Sequence, residues 1–313
     1  MPVTGPSLND AARRGLLLAA HNPVAERVVS RWGMRLGARR FVAGTTLDDC
    51  LVVLAALNRM GLRANTTILG EGTADRAGAE AVAAEYVEVL GRIAAAGLDA
   101  NVSCKLTHLG LGIDPALAHR NVERVARAGA EVGRLVRMDM EESGWVDATL
   151  DIYRRLRAAD LENVGVVLQA YLQRTPEDLR QLLPLRPNLR LVKGAYLESP
   201  AVAHARKTDV DHAYLQLMEQ ALRDAGYTAI ATHDERLIEH AIAYTTQRRI
   251  PRERFEFQML YGVRAGLQRA LVGRGYRVLV AAPFGSHWYP YLMRRLAERP
   301  ANIGFFVRNL FHA

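Results

Sequence analysis

Cysteine is close to absent from this sequence. Only Cys50 and Cys104 occur, far apart and in no spacing that a metal or a redox pair needs. Cys104 lies in an apolar run, which makes it a small buried side chain, and nothing asks for an oxidising compartment. Long apolar runs are missing too. No stretch approaches the roughly 18 residues that span a bilayer. The N-terminus carries Pro2 and Pro6 but no signal core, and Leu16-Leu17-Leu18-Ala19-Ala20 is too short and lacks a cleavage site. These absences predict a soluble cytoplasmic protein. The nine histidines contain no ligand pair at helical spacing beside an acid, and His204 and His212 stand eight apart, so no metal site is expected.

A dinucleotide fingerprint is also missing. Leu109-Gly110-Leu111-Gly112 supplies only two glycines and runs into Asp114-Pro115. There is no basic block either. The 41 Lys and Arg against 33 Asp and Glu leave a formal charge of +8, but the excess is scattered in pairs such as Arg13-Arg14, Arg154-Arg155 and Arg248-Arg249. With no nucleic-acid motif, this reads as a solvated basic surface and no nucleic-acid partner is expected. Attraction to an anionic ligand or membrane surface stays open.

What is present is a repeat. Residues 7–60 show apolar positions three and four apart over 13–20, 24–36 and 47–60, which predicts a helical prefix with Thr45 or Thr46 capping its third helix. From residue 62 the period changes. Short apolar runs at 64–69, 100–106, 133–138, 163–170, 189–192, 228–231, 255–259 and 277–282 read as strands. Helical patterns at 74–96, 115–129, 145–159, 176–183, 201–225, 235–248, 261–273 and 288–298 lie between and after them. Pro115 and Pro176 fall at helix starts and Gly97 and Gly226 at helix ends. Eight such units over about 240 residues predict a (β/α)8 barrel, an α/β fold, over 62–313, with a doubly wound open sheet as runner-up. The helical segment 1–61 is expected to pack on it.

In a barrel of this kind the site lies at the carboxyl ends of the strands. Those ends are rich in ionisable groups: Glu71, Lys105, Asp139, Gln169, Arg190 with Lys193, and Thr232-His233, followed by Arg294-Arg295 and Glu298 in the last helix. The stretch Arg190-Leu191-Val192-Lys193-Gly194-Ala195-Tyr196 is the densest of them, a buried strand ending in a cation, a small-residue turn and an aromatic.

These segments resemble the FAD-dependent proline dehydrogenases, and the resemblance covers nearly the whole chain. Its carriers are Val102-Ser103-Cys104-Lys105-Leu106-Thr107, Arg137-Met138-Asp139-Met140-Glu141, Leu168-Gln169-Ala170-Tyr171 and the Arg190 to Tyr196 stretch. Ala231-Thr232-His233-Asp234, Phe255-Glu256-Phe257-Gln258-Met259-Leu260-Tyr261-Gly262 and Tyr291-Leu292-Met293-Arg294-Arg295-Leu296-Ala297-Glu298 complete them. The resemblance implies oxidation of L-proline to pyrroline-5-carboxylate with FAD as cofactor and a quinone-type acceptor, including a peripheral position at the inner membrane face. It implies FAD contacts at Met140, Gln169, Arg190, Lys193, Gly194, Ala195, Tyr196, Thr232, His233 and Glu298. Substrate contacts fall to Lys105, Arg294, Arg295, Tyr196, Leu260 and Ala281. Asp139 and Arg190 are the catalytic pair it implies, and Glu71 with Arg294 a gate.

Two positions depart from the family pattern. A tyrosine usual in strand eight is Ala281 here, and an aspartate usual four residues before Glu71 is Thr67. Loss of the phenol predicts either room for a larger ring such as hydroxyproline or weaker binding of proline. On the barrel alone, two further readings stand. One is a Schiff-base aldolase using Lys105 or Lys193; the other is a non-enzymatic basic binding protein. Oligomeric state is open.

Overall fold

The computed structural model describes residues 38–298, with the side chains of Arg294, Leu296, Ala297 and Glu298 outside the described residues. The helices expected over 13–20 and 24–36 also lie outside them. The first described helix, α1 (Leu47–Arg59), starts where Thr46 caps it by accepting the Asp49 N–H, with Asp48 and Asp49 in the first turn. Cys50, Leu54 and Leu57 are its buried face, at the spacing that puts side chains on one stripe.

Beyond it, strands and helices alternate: β1 (Arg63–Thr66), α2 (Arg76–Ala95), β2 (Ala100–Lys105), α3 (Pro115–Glu131), β3 (Val136–Asp139), α4 (Val146–Ala158), β4 (Val164–Gln169) and α5 (Thr175–Leu182). The second half runs β5 (Asn188–Val192), α6 (Lys207–Asp224), β6 (Tyr227–Ala231), α7 (Glu235–Gln247), β7 (Phe255–Leu260), α8 (Ala265–Gly273), β8 (Val278–Ala281) and α9 (Trp288–Glu298). The strands pair in sequence order, all parallel, and β1 pairs with β8 to close the barrel. Closure removes every sheet edge. Asp75, Asp114 and Asp234 cap α2, α3 and α7 through side-chain oxygens, and Pro115 occupies the first turn of α3.

Of the expected boundaries that move, three do so for a tertiary reason. The first strand, expected over 64–69, stops at Thr66. Residues 67–71 leave the barrel wall, held by a bridge from Ile68 to Phe284 and by the Leu69 N–H on the Phe284 carbonyl, 2.7 Å. The helix expected from 201 begins at Lys207, because Ala203 bridges Leu172 and the His204 N–H donates to the Tyr171 carbonyl at 2.7 Å. The helix expected from 261 begins at Ala265, after a turn in which Gly262 has φ +74° and Arg264 φ +53°.

The outer faces of the strands pack on the helices through apolar side chains such as Val102, Met138, Leu191 and Phe257, all fully buried. Burying one such side chain is worth about 1.5–3 kcal/mol. The inner face is different. Barrel interiors are usually filled by branched aliphatics, whereas here hydrogen bonds across the lumen join Ser103 of β2, Asp139 of β3, Arg190 of β5 and Gln258 of β7. Arg137 is 1 % exposed and donates to Asn188 Oδ1 at 2.7 Å. Gly165 on β4 makes room for it, since a Cβ there would stand 2.9 Å from Arg137 Nη1.

Candidate active site

The polar interior opens, at the carboxyl ends of the strands, into a cavity of about 1230 Å³. Glu71, Lys105, Asp139, Met140, Gln169, Arg190, Lys193, Gly194, Ala195, Tyr196, Thr232, His233, Leu260, Ala281 and Arg295 all line it. Residues named from separate strand ends therefore share one space. Arg294 and Glu298 belong to α9, but their side chains lie outside the described residues.

Arg190 is the best-anchored member. Its three nitrogens donate to Gln258 Oε1 (2.6 Å), Asp139 Oδ1 (2.7 Å) and Ser103 Oγ (3.1 Å). A guanidinium is planar and permanently charged, so three fixed acceptors leave it one orientation. Lys193, at the end of the same strand, is held by Asp211 at 2.5 Å and faces Asp234 at 3.5 Å. Burial alone would raise the Asp211 carboxyl, but hydrogen bonds from Lys193 and Lys207 outweigh it and hold it below the usual range. Asp234 is pulled to about 2, first by its hydrogen bond from Arg236. The rim beside Lys193 is thus a lattice of ion pairs in which both carboxyls, Asp211 and Asp234, are held below their usual range.

Gly194 follows Lys193 with φ +113°, a conformation that L side chains avoid, and a Cβ there would overlap the Tyr171 ring. Glycine is required at this turn. His233 Nε2 accepts the Leu260 N–H at 2.9 Å, so that nitrogen carries no proton and the ring N–H sits on Nδ1. Ala281 pairs in register with Leu260 and Asn65 and puts only a methyl into the cavity. Thr67 also lines the cavity, its hydroxyl 3.1 Å from Tyr86 Oη.

Glu71 forms an ion pair with Lys105. The Arg294 side chain, the gate partner that the family resemblance implies for Glu71, lies outside the described residues. Reasoning from sequence also gave no role to His108, Gln258, Arg264, His287 or Tyr291, all of which line the cavity. A signal existed for one of them. Glu256 and Gln258 are polar at alternate positions of an otherwise apolar strand, the period of an inward face. His108 has no such signature.

The resident group implied by the sequence is FAD, and the wall fits it. Gln169 is 3 % exposed, donates through Nε2 to the Met140 carbonyl at 3.4 Å, and leaves Oε1 without a partner among the described residues. A buried, unsatisfied acceptor costs about 1–3 kcal/mol, and an N–H on a bound ring system would satisfy it. The volume, the glycine turn and the cations Arg190 and Lys193 are consistent with a large anionic ligand.

Comparison with known proteins decides the family. The family model described as proline dehydrogenase matches residues 50–308. This chain belongs to the proline dehydrogenase family. Members are FAD-dependent oxidoreductases, and the chain is similar throughout to curated ones. It is 40% identical over 298 residues to proline dehydrogenase 1 of Bacillus subtilis (strain 168), covering 95% of this chain and 98% of that protein. To the proline dehydrogenase of Deinococcus radiodurans it is 39% identical over 304 residues, covering 95% and 97%. Among solved structures, proline utilization A (PutA) from Bdellovibrio bacteriovorus, inactivated by N-propargylglycine, superposes with a TM-score of 0.79 at 26% identity. That match covers 92% of this chain and 36% of the longer one. Both the closed barrel and the flavin expected from the sequence agree with this family. Among the described residues no helix is long and apolar enough to cross a membrane, and no cluster of potential metal ligands occurs.

Proposed function

We propose that this chain oxidises L-proline, or a ring-substituted proline, to the corresponding pyrroline-5-carboxylate, and passes the electrons to a quinone-type acceptor. The observation that carries the reading is the arrangement of charge around one cavity: Arg190 pinned by three acceptors, with Asp139 and Lys105 beside it and Arg295 across from the last helix. FAD, when bound, supplies the two-electron acceptor for a hydride. The protein binds, orients and balances charge. Lys105 and Arg295, together with Arg294, would hold the substrate carboxylate, and guanidinium forks suit a planar anion. Lys105 would turn from Glu71 to the substrate as the site fills, and Glu71 would pair with Arg294 as a gate.

In the reaction the ring carbon beside nitrogen gives up a hydride, the amine gives up a proton, and a carbon–nitrogen double bond forms. Asp139 is the carboxylate placed to help the amine lose its proton, while its bond to Arg190 at 2.7 Å keeps it oriented. Gln169, Lys193, Gly194, Ala195, Tyr196, Thr232 and His233, with Met140 and Glu298, would hold the flavin. Ala281 favours a substrate ring larger than proline, because a methyl stands where a bulky side chain would close the wall. The acceptor and a peripheral membrane position are supported by the net charge of +8 and by Leu197, 61% exposed next to the cavity-lining Tyr196.

The aldolase reading loses ground on the same geometry. A Schiff-base lysine is activated by an apolar pocket or a neighbouring cation, whereas Lys105 and Lys193 each face carboxylates. The test is an anaerobic visible spectrum before and after L-proline and then trans-4-hydroxy-L-proline. Bleaching of a flavin band by either compound supports the activity. A flavin band that neither bleaches removes the substrate assignment, and no flavin uptake removes the reading altogether.

A further inference from the structure

The barrel interior contains a hydrogen-bonded line that reaches the site from behind. At its lower end Arg63 is paired with Asp99 at 3.0 Å and donates to Glu256 Oε2 at 2.9 Å. The other oxygen of Glu256 accepts from Gln258 Nε2 at 2.6 Å, and Gln258 Oε1 accepts from Arg190 Nε at 2.6 Å. Glu256 is 2 % exposed and is absent from the cavity wall, whereas Gln258 and Arg190 are part of it. The direction of the line is forced. A carboxylate only accepts and a guanidinium only donates, so the amide between them has one orientation that satisfies both.

Charge adds a second constraint. Arg137 and Arg190 stand together in the lumen, and burial first, then the neighbouring Arg190 charge, disfavours the charged form of Arg137. Asp139 answers on the cavity side, bonded to Arg190. On the opposite side the carboxylate is Glu256, which favours the charged form of Arg137.

We infer that Glu256 is a positioning residue of the site: through Gln258 it fixes the Arg190 guanidinium, and its charge offsets the cationic interior beneath the cavity. The inference rests on the proposed flavin site but assigns a residue that touches neither substrate nor cofactor. Its loss would raise the electron affinity of a bound flavin without removing any group that contacts it, because one buried negative charge is withdrawn from an environment of low effective dielectric.

The test uses the FAD-loaded full chain and reads the flavin midpoint potential against a reference dye, with wild-type bleaching by proline as the separate check on the proposed activity. E256Q keeps the shape and removes the charge. Its reduced-to-oxidised ratio at fixed dye potential is expected to rise about tenfold, which is about 30 mV for a two-electron couple. E256D restores the charge and is expected to return the potential toward wild type. R63Q breaks the Arg63 pair but leaves Glu256 on Gln258, so it should lower thermal stability without raising the potential. A merely structural Glu256 predicts the reverse pattern, equal stability losses in E256Q and R63Q with an unmoved potential, and that result overturns the inference. If E256Q does not fold because Arg63 is left without its buried partner, R63Q/E256Q removes both charges of the pair. Its potential should stand above that of R63Q alone, and equal potentials in those two variants also overturn the inference.

Discussion

His108 makes the stability of this barrel depend on pH, and the dependence has a computable size. The residue lines the cavity, is 9 % exposed, and has no partner for Nδ1 among the described residues. Burial, then the charges of Lys105 and His287, pull its pKa from 6.5 to about 4, with Glu71 opposing weakly. Between those values the unfolded chain binds a proton that the folded chain refuses. The stability tied to a neutral His108 is therefore fully present above pH 6.5 and is lost as the pH falls toward 4. Each pH unit inside that window costs about 1.4 kcal/mol, so moving from pH 7.5 to 5 removes about 2 kcal/mol through this residue alone. In His108→Gln the planar polar group remains and the proton does not. Denaturant titrations of wild type and variant at both pH values isolate the difference, since every other group cancels. Wild type should lose about 2 kcal/mol more than the variant between the two conditions. Parallel losses in the two proteins would refute a neutral, buried His108.

Other outcomes follow from the cavity wall. Ala281→Tyr refills the space left by the methyl and should move the ratio of kcat/KM for proline over trans-4-hydroxyproline by about tenfold or more toward proline; an unchanged ratio sinks Ala281 as the specificity residue. Glu71→Ala removes the partner of Lys105 and should raise the apparent KM for proline about tenfold, the size of one charge-assisted contact, with a smaller effect on kcat. Unchanged steady-state constants would count against any gate at Glu71. Gly194→Ala forces a Cβ into the Tyr171 ring at positive φ and should cost about 2–4 kcal/mol, seen as a lower Tm and a lower FAD content; wild-type values for both would show that the turn tolerates a side chain.

The barrel was legible because its signal is local. Each strand announces itself by a short apolar run and each helix by its three-and-four spacing, and eight repetitions leave few architectures. The site was legible for a related reason. The last inward residue of a barrel strand has to face the cavity mouth, so Lys105, Asp139 and Gln169 were placed by position alone, and Arg190 shares the inward face of β5 one step below Val192. Pairings obey no such rule. Lys105 could meet any carboxylate on the rim, and the structure gives it Glu71, while the nearby Asp139 goes to Arg190 from a strand 51 residues away. The line from Arg63 to Glu256 joins residues 193 apart, and Gln258 is 68 from Arg190. Such partners are selected by the register of the closed sheet, which no single strand encodes. The early stop of the first strand and the late start of α6 have the same origin: Ile68 is taken by Phe284 and Ala203 by Leu172, contacts invisible to local periodicity. Positions of chemistry follow from the chain's own pattern, but the connections that tune the chemistry follow from closure. That is why Glu256, quoted within a motif but given no role, becomes interpretable only when β7 is seen beside the arginines it balances.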